Sequence, residues 1–262
     1  MNDKIKNIIR SFLPNWLKSF ILFFYRWHDL VAVFKFLFKN KNISIIDKLI
    51  IIKKIYIISH NIESPHTQRE MLTFISDIMS ISKQNDGIII EAGCYKGSSS
   101  SKFSLAADIV KKKLFIFDSF EGIPDNNEKH DKSIFNKDVK FNKGDYCGSL
   151  EEVKNNIKQY GKIDSCIFIK GWFEDTLPDL KKSVSLAYID VDLASSTKTC
   201  LKYIYPLLDE GGILYSQDGH LPLIVNLLKD ESFWLNEVGY PKPEIIGLGK
   251  NKLIKIIKNW VL

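Results

Sequence analysis

Four cysteines in 262 residues, Cys94, Cys147, Cys166 and Cys200, form no C-x-x-C pair and no zinc spacing, which excludes a disulfide framework and a structural zinc site. A reducing compartment, the cytoplasm, is therefore expected, with no cleavable signal peptide expected ahead of these residues. A run of roughly 20 nearly uncharged apolar residues is also lacking. The best stretch, 20–38, is interrupted by Arg26, His28, Asp29 and Lys35, so a membrane-spanning helix is not expected. The bulk of the chain has no charge of one sign either. Net charge is +6, and residues 1–42 hold that whole excess in Lys4, Lys6, Arg10, Lys18, Arg26, Lys35, Lys39 and Lys41 against Asp3 and Asp29. The remainder is neutral, which excludes a general nucleic-acid surface.

With 45% hydrophobic and 26% charged residues, the chain can bury one good core, and one domain with an appendage is expected. The appendage is a basic amphipathic helical arm over 1–60, where Ile5, Ile8, Phe12, Trp16 and Phe20 recur at helical spacing and Pro14 divides two pieces. Three covers suit it: its own domain, a second subunit in a homo-oligomer, or an anionic membrane surface met through residues 1–42, with Trp16, Tyr25 and Trp27 as interfacial rings.

From 61 to 262 strand and helix patterns alternate, the signature of an α/β fold with a Rossmann-like, doubly wound, mostly parallel sheet. Strands are expected at 88–91, 114–117, 166–170, 186–189 and 213–216, and helices at 98–110, 150–160, 197–208 and 221–235. Thr67 with Glu70 and Ser149 with Glu152 read as capping boxes that open helices. The tail reads as a C-terminal β-hairpin around Gly249-Lys250-Asn251. Residues 124–148 are polar, too long for a tight connection and follow the second strand, so they are expected to form a lid.

The candidate site residues fall where these strands end. The run Ile88-Ile89-Ile90 ends in Glu91, followed by Gly93 and Gly97, where backbone without side chains lets a nucleotide approach. The dinucleotide fingerprint G-x-G-x-x-G needs a third glycine that is missing, which disfavours a nicotinamide-dependent oxidoreductase. The second strand ends in Asp118, placed to accept both hydroxyls of a ribose. The third runs into Gly171, Trp172 and Phe173, whose rings could face an adenine or pack as ordinary core. The fourth ends Asp190-Val191-Asp192, and on extended chain two alternate residues share a face. Gln217 and Asp218 follow the fifth, so the oxygens could complete a Mg²⁺ or Ca²⁺ site or form a metal-free cluster held by lysine and water. His220, just beyond, is a candidate base, and His130 lies in the lid.

The E-x-G-x-x-x-G segment is similar to that of S-adenosylmethionine-dependent methyltransferases. The segments Asp118-Ser-Phe-Glu-Gly-Ile-Pro124, Gly144-Asp-Tyr146, Gly171-Trp-Phe-Glu-Asp-Thr-Leu-Pro178 and Asp190-Val-Asp192-Leu resemble, in order, the macrocin O-methyltransferase family over about residues 65–258. The resemblance implies methylation of sugar hydroxyls on a small-molecule or glycan acceptor, with S-adenosylmethionine and Mg²⁺ as cofactors. It implies Asp190 and Asp218 as metal ligands and Asp192 as general base. From their places at the strand ends, Glu91, Gly93, Gly97, Asp118, Ser119, Gly171 and Trp172 are the expected cofactor residues. Gln217 departs from the adjacent aspartate pair of the family; an amide oxygen can still ligate a metal but brings no charge. The non-enzymatic alternative is a membrane-surface binding protein on a degenerate methyltransferase fold.

Overall fold

The computed structural model describes residues 29–81, 85–130 and 132–258, so residues 1–28 of the basic arm lie outside the described residues. The framework is one seven-stranded sheet of β1 (Ile88–Ala92), β2 (Leu114–Asp118), β3 (Cys166–Lys170), β4 (Val184–Ile189), β5 (Leu208–Ser216), β6 (Ile245–Ile246) and β7 (Ile254–Ile257), in the order β3-β2-β1-β4-β5-β7-β6. The first five run parallel, and β7 inserts antiparallel beside β5 with β6 at the edge. The helices are α1 (Ile45–Asn61), α2 (Gln68–Ile78), α3 (Ser98–Val110), α4 (Leu150–Tyr160), the single turn α5 (Phe173–Thr176), α6 (Ala194–Ile204) and α7 (Pro222–Lys229).

Period-two alternation sorts the strands into two core layers. Ile89, Leu114, Ile116 and Tyr188 pack with α1 to α4, whereas Ile90, Ala187, Leu214 and Ile256 pack with α6 and α7 on the other face. Both faces of the sheet are covered, which is why its central strands read as unbroken apolar runs. Helix α1 lies on the arm's side of the boundary expected at residue 60, yet Ile51, Ile55 and Ile58 are buried in the layer that holds α2 and α3.

Thr67 and Glu70 make both halves of the capping box that opens α2. Ser149 caps α4 by accepting the Glu152 amide at 3.1 Å. One buried acid ties three parts of the chain together. Asp77 of α2 accepts Lys39 Nζ at 2.7 Å, the Tyr215 hydroxyl of β5 at 2.6 Å and Lys255 Nζ of β7 at 2.8 Å. Burial pushes its carboxyl up, but these three donors outweigh burial and hold it below the ordinary value.

Two expected helices have shifted ends. Helix α6 begins at Ala194, three residues before the expected start, because its first amides are capped from outside the helix. The helix expected over 221–235 stops at Lys229, where Asp230 is extended at ψ 108° and caps the next turn by accepting the Ser232 amide. The connections run from the carboxyl ends of β1 to β5, which brings five loops to one edge of the sheet.

Candidate active site

Those loops enclose a cavity of about 610 Å³, a size that suits a cofactor with a small acceptor. Gly93 lies at φ +84°, and a Cβ there would fall on the Asp190 carbonyl oxygen, so only glycine lets the β1 and β4 loops cross this closely. Its amide donates to the Phe117 carbonyl at 3.0 Å, which aligns the loop with the end of β2. There Asp118 accepts the Cys94 amide on Oδ2 and the Phe120 amide on Oδ1, both at 2.7 Å, and faces the cavity. Burial raises its carboxyl above the ordinary value, while the amides pull the other way. Ser119, Gly171 and Trp172 line the same space, as does Phe173, whose ring also packs against the core.

Two expected cofactor residues stand behind this wall rather than in it. Gly97, at φ +77°, occupies the N-cap of α3. Glu91 is fully buried at the end of β1; burial lifts its pKa to about 8, and the Ser100 and Ser99 hydroxyls only partly oppose that.

Across the cavity, Asp190, Asp192 and Asp218 bring carboxylate oxygens within 4.8 Å of one another. The convergence does not come from an extended strand, as the alternation suggested. Strand β4 ends at Ile189, and Asp192 turns back at φ +61°. Asp218 Oδ2 accepts the amides of Val191 and Asp192, both at 3.1 Å, while its Oδ1 is buried without a partner. Burial and then the Asp190 carboxylate raise Asp218 to about 7, and burial with both neighbouring acids raises Asp192 well above its ordinary value. Gln217 is not drawn into this cluster: it is buried, and its amide oxygen accepts the Tyr188 hydroxyl at 3.0 Å.

His66 is a site residue that the sequence did not reveal. Its Nε2 lies 2.6 Å from Asp190 Oδ2, its Nδ1 lies 3.3 Å from Ser64 Oγ, and its ring lines the cavity. Burial raises the Asp190 carboxyl, but the imidazole then holds it below the usual carboxylate value. No spacing marks His66, a lone histidine in a polar stretch. The only available signal was its place one residue before the Thr67 cap, which fixes it at the start of a buried helix.

His220 lines the cavity, and burial together with the Lys252 ammonium pushes its pKa down to about 4, leaving a neutral imidazole near pH 7. Residues 124–148 reach over it. Phe135 stacks on its ring at 6.1 Å, and the Ile134 amide donates to its carbonyl at 3.0 Å. The segment is fastened by Glu128, which accepts the Ala194 and Ser195 amides at the start of α6, each at 2.8 Å. His130 does not face the cavity; its Nε2 sits 3.2 Å from Glu128 and its ring packs edge-on to Phe141.

The donor chemistry fits two groups. Three clustered carboxylates, one with a partnerless buried oxygen, suit a hard divalent cation such as Mg²⁺. A glycine-bounded loop, a carboxylate at the end of β2 and the Trp172 ring suit a nucleoside.

Comparison with known proteins places the architecture. The protein aligns with the O-methyltransferase NovP at a TM-score of 0.63 and 19% identity, over 82% of this chain and 100% of that one. It is 30% identical over 139 residues to an 8-demethyl-8-(2,3-dimethoxy-alpha-L-rhamnosyl)-tetracenomycin-C 4'-O-methyltransferase of Streptomyces olivaceus, covering 50% of this chain and 52% of that protein. A demethyldecarbamoylnovobiocin O-methyltransferase of Streptomyces niveus is 29% identical over 137 residues, again 50% and 52% of the two chains. The alignments thus span about half the length of these relatives. The family model of macrocin-O-methyltransferase (TylF) matches residues 67–225, a span that takes in Gly93, Asp118, Asp190, Asp192 and Asp218. The chain belongs to the macrocin O-methyltransferase family.

Proposed function

We propose that the protein is an S-adenosylmethionine-dependent O-methyltransferase acting on a hydroxyl of a sugar, glycan or glycosylated natural product, with Mg²⁺ assisting. The observation that carries this reading is one cavity lined by both Asp118 with Trp172 and Asp190 with Asp192. A cavity with these two ends supports the reading, since a nucleoside held at Asp118 and an acceptor hydroxyl at Asp192 would share one space. The rhamnosyl acceptor named for the Streptomyces olivaceus relative supports the sugar class.

S-adenosylmethionine supplies a sulfonium-activated methyl group, and a divalent cation acidifies a hydroxyl that binds to it. Asp118, already oriented by two amides, would accept the ribose hydroxyls, and Trp172 would border the base. Asp190 and Asp218 would hold the cation. Asp192 would take the proton of the acceptor hydroxyl as that oxygen accepts the methyl group. Its raised proton affinity is the direction a general base near neutrality needs. His220, neutral at that pH, stands beside the same space as a second proton acceptor.

Calorimetric titration with S-adenosylhomocysteine tests the cofactor part: the wild type binds and Asp118→Ala does not. Absence of wild-type binding refutes the reading. Labelled methyl transfer into fractionated glycans and glycosides then identifies the acceptor. Chelation should suppress that transfer and Mg²⁺ restore it, whereas full activity in chelator removes the metal from the mechanism.

A further inference from the structure

Helix α1 is apolar on two sides. Ile51, Ile55 and Ile58 face the core, while Ile46, Leu49, Ile50 and Ile57 recur at helical spacing on the exposed side. A helix that is apolar all round belongs inside a protein or against lipid. The adjoining helical segment 29–38 adds Phe34 and Phe38, 58% and 77% exposed. Of the 16 large hydrophobic residues left exposed among the described residues, ten fall between 30 and 57. That concentration on two neighbouring helices is a patch, not scatter.

Charge identifies what fits it. Between residues 29 and 61 stand six lysines and two aspartates; Lys48 is buried and Lys39 is paired with Asp77, while Lys35, Lys41 and Lys53 are exposed, Lys53 within the apolar stripe itself. A second copy of this chain would set lysines against lysines. The segment 1–28 is itself cationic, with five Lys or Arg against Asp3, and would do the same. Beside the patch, Lys35 and Arg69, with Lys39 held by Asp77, border a groove of about 430 Å³ floored by Phe36 and Leu72, a combination of cationic rim and apolar bed. No helix of the described residues is long and apolar enough to cross a membrane.

We infer that the outer face of α1 and the segment 29–38 form a docking surface for an anionic lipid bilayer, with the apolar side chains in the interface and the lysines at headgroup level. The protein then works at a membrane surface, which holds whether or not the acceptor is a sugar.

Cosedimentation of the full chain with vesicles of phosphatidylglycerol and phosphatidylethanolamine, against pure phosphatidylcholine, tests this. Binding is expected to the anionic vesicles only. The triple variant Ile46→Ser, Leu49→Ser, Ile57→Ser should lower it at least tenfold, and Lys35→Gln with Lys53→Gln about 5-fold per lysine, at about 1 kcal/mol each near such a surface. These side chains are exposed, so S-adenosylhomocysteine binding and melting temperature should match the wild type and report an intact fold. Three results overturn the inference: no wild-type binding to anionic vesicles, unchanged binding by the triple variant, or a wild-type dimer in analytical ultracentrifugation that the triple variant dissociates while neither binds lipid.

Discussion

Replacing Gly93 by alanine should separate two costs that this structure sets side by side. The residue sits at φ +84°, where an L side chain costs about 1–2 kcal/mol. The added Cβ also meets the Asp190 carbonyl, whose carbon lies 2.9 Å away, and both partners are backbone, so the loops themselves must part. Crowding of that kind adds about 1–3 kcal/mol. The sum, about 2–5 kcal/mol, corresponds to a fall in melting temperature on the order of 4–20 °C at roughly 2–4 °C per kcal/mol for a chain of this size. Gly239 is the internal control. It has the same backbone, φ +82°, with nothing within 4 Å of an added methyl group, so Gly239→Ala should cost only the left-handed contribution of about 1–2 kcal/mol. Calorimetric melting of both variants, with S-adenosylhomocysteine titration, reads the difference. Gly93→Ala should melt lower than Gly239→Ala and bind the nucleoside at least tenfold more weakly, because the β1 loop and Asp190 move apart. Equal melting temperatures with wild-type binding in both would refute the claim that this crossing of backbones sets the site.

His66→Ala removes the partner of Asp190 Oδ2 at 2.6 Å, and Mn²⁺ binding followed by electron paramagnetic resonance should weaken about 10–100-fold while the fold stays intact; unchanged affinity would show that the imidazole does not orient the carboxylate. Glu128→Ala strips two amide bonds from the start of α6 and frees residues 124–148, so it should cost about 0.5–2 kcal/mol and speed proteolysis within that segment, and an unaltered cleavage rate would count against the fastening. Asp77 has a lowered pKa, so its contribution is present above the unfolded value of about 3.9 and is lost as pH falls through the folded one. Asp77→Asn should therefore cost about 1.5–3 kcal/mol at pH 7 and flatten the acid limb of the stability curve, and denaturation that keeps the wild-type slope below pH 4 would refute this.

What was legible in the sequence is what the backbone path alone determines. The runs before Glu91 and Asp118 are short, apolar and buried on both faces, so they read as parallel strands, and the residues at their ends fall at the ligand edge by topology. What was hidden depends on contacts between distant parts of the chain. His66 meets Asp190 across 124 residues, and nothing local records that approach. Gln217 read as a weakened metal ligand because it stands beside Asp218, yet adjacent residues point apart, and its amide is engaged with Tyr188 instead. Helix α1 carries the composition of an amphipathic arm on both faces, so its pattern could not say which face the core would take.

Backbone strain gathers at the same place, and it explains why the carboxylates meet. Seven non-glycine residues have positive φ among the described residues, and three of them, Tyr95, Tyr146 and Asp192, line the cavity. Such conformations cost about 1–3 kcal/mol each and persist where surrounding structure enforces them. At Asp192 two costs coincide: the left-handed turn, and a carboxylate buried beside Asp218 and Asp190. A fold selected for stability alone would keep neither. Asp192→Asn isolates the second, because asparagine tolerates the left-handed region and preserves the turn while removing the repelling charge. In chelator, its melting temperature should rise above that of the wild type, and with Mg²⁺ present its methyl transfer should be lost. A variant that melts lower would show that the carboxylate contributes to holding the loop, and one that still turns over would take Asp192 out of the proton transfer.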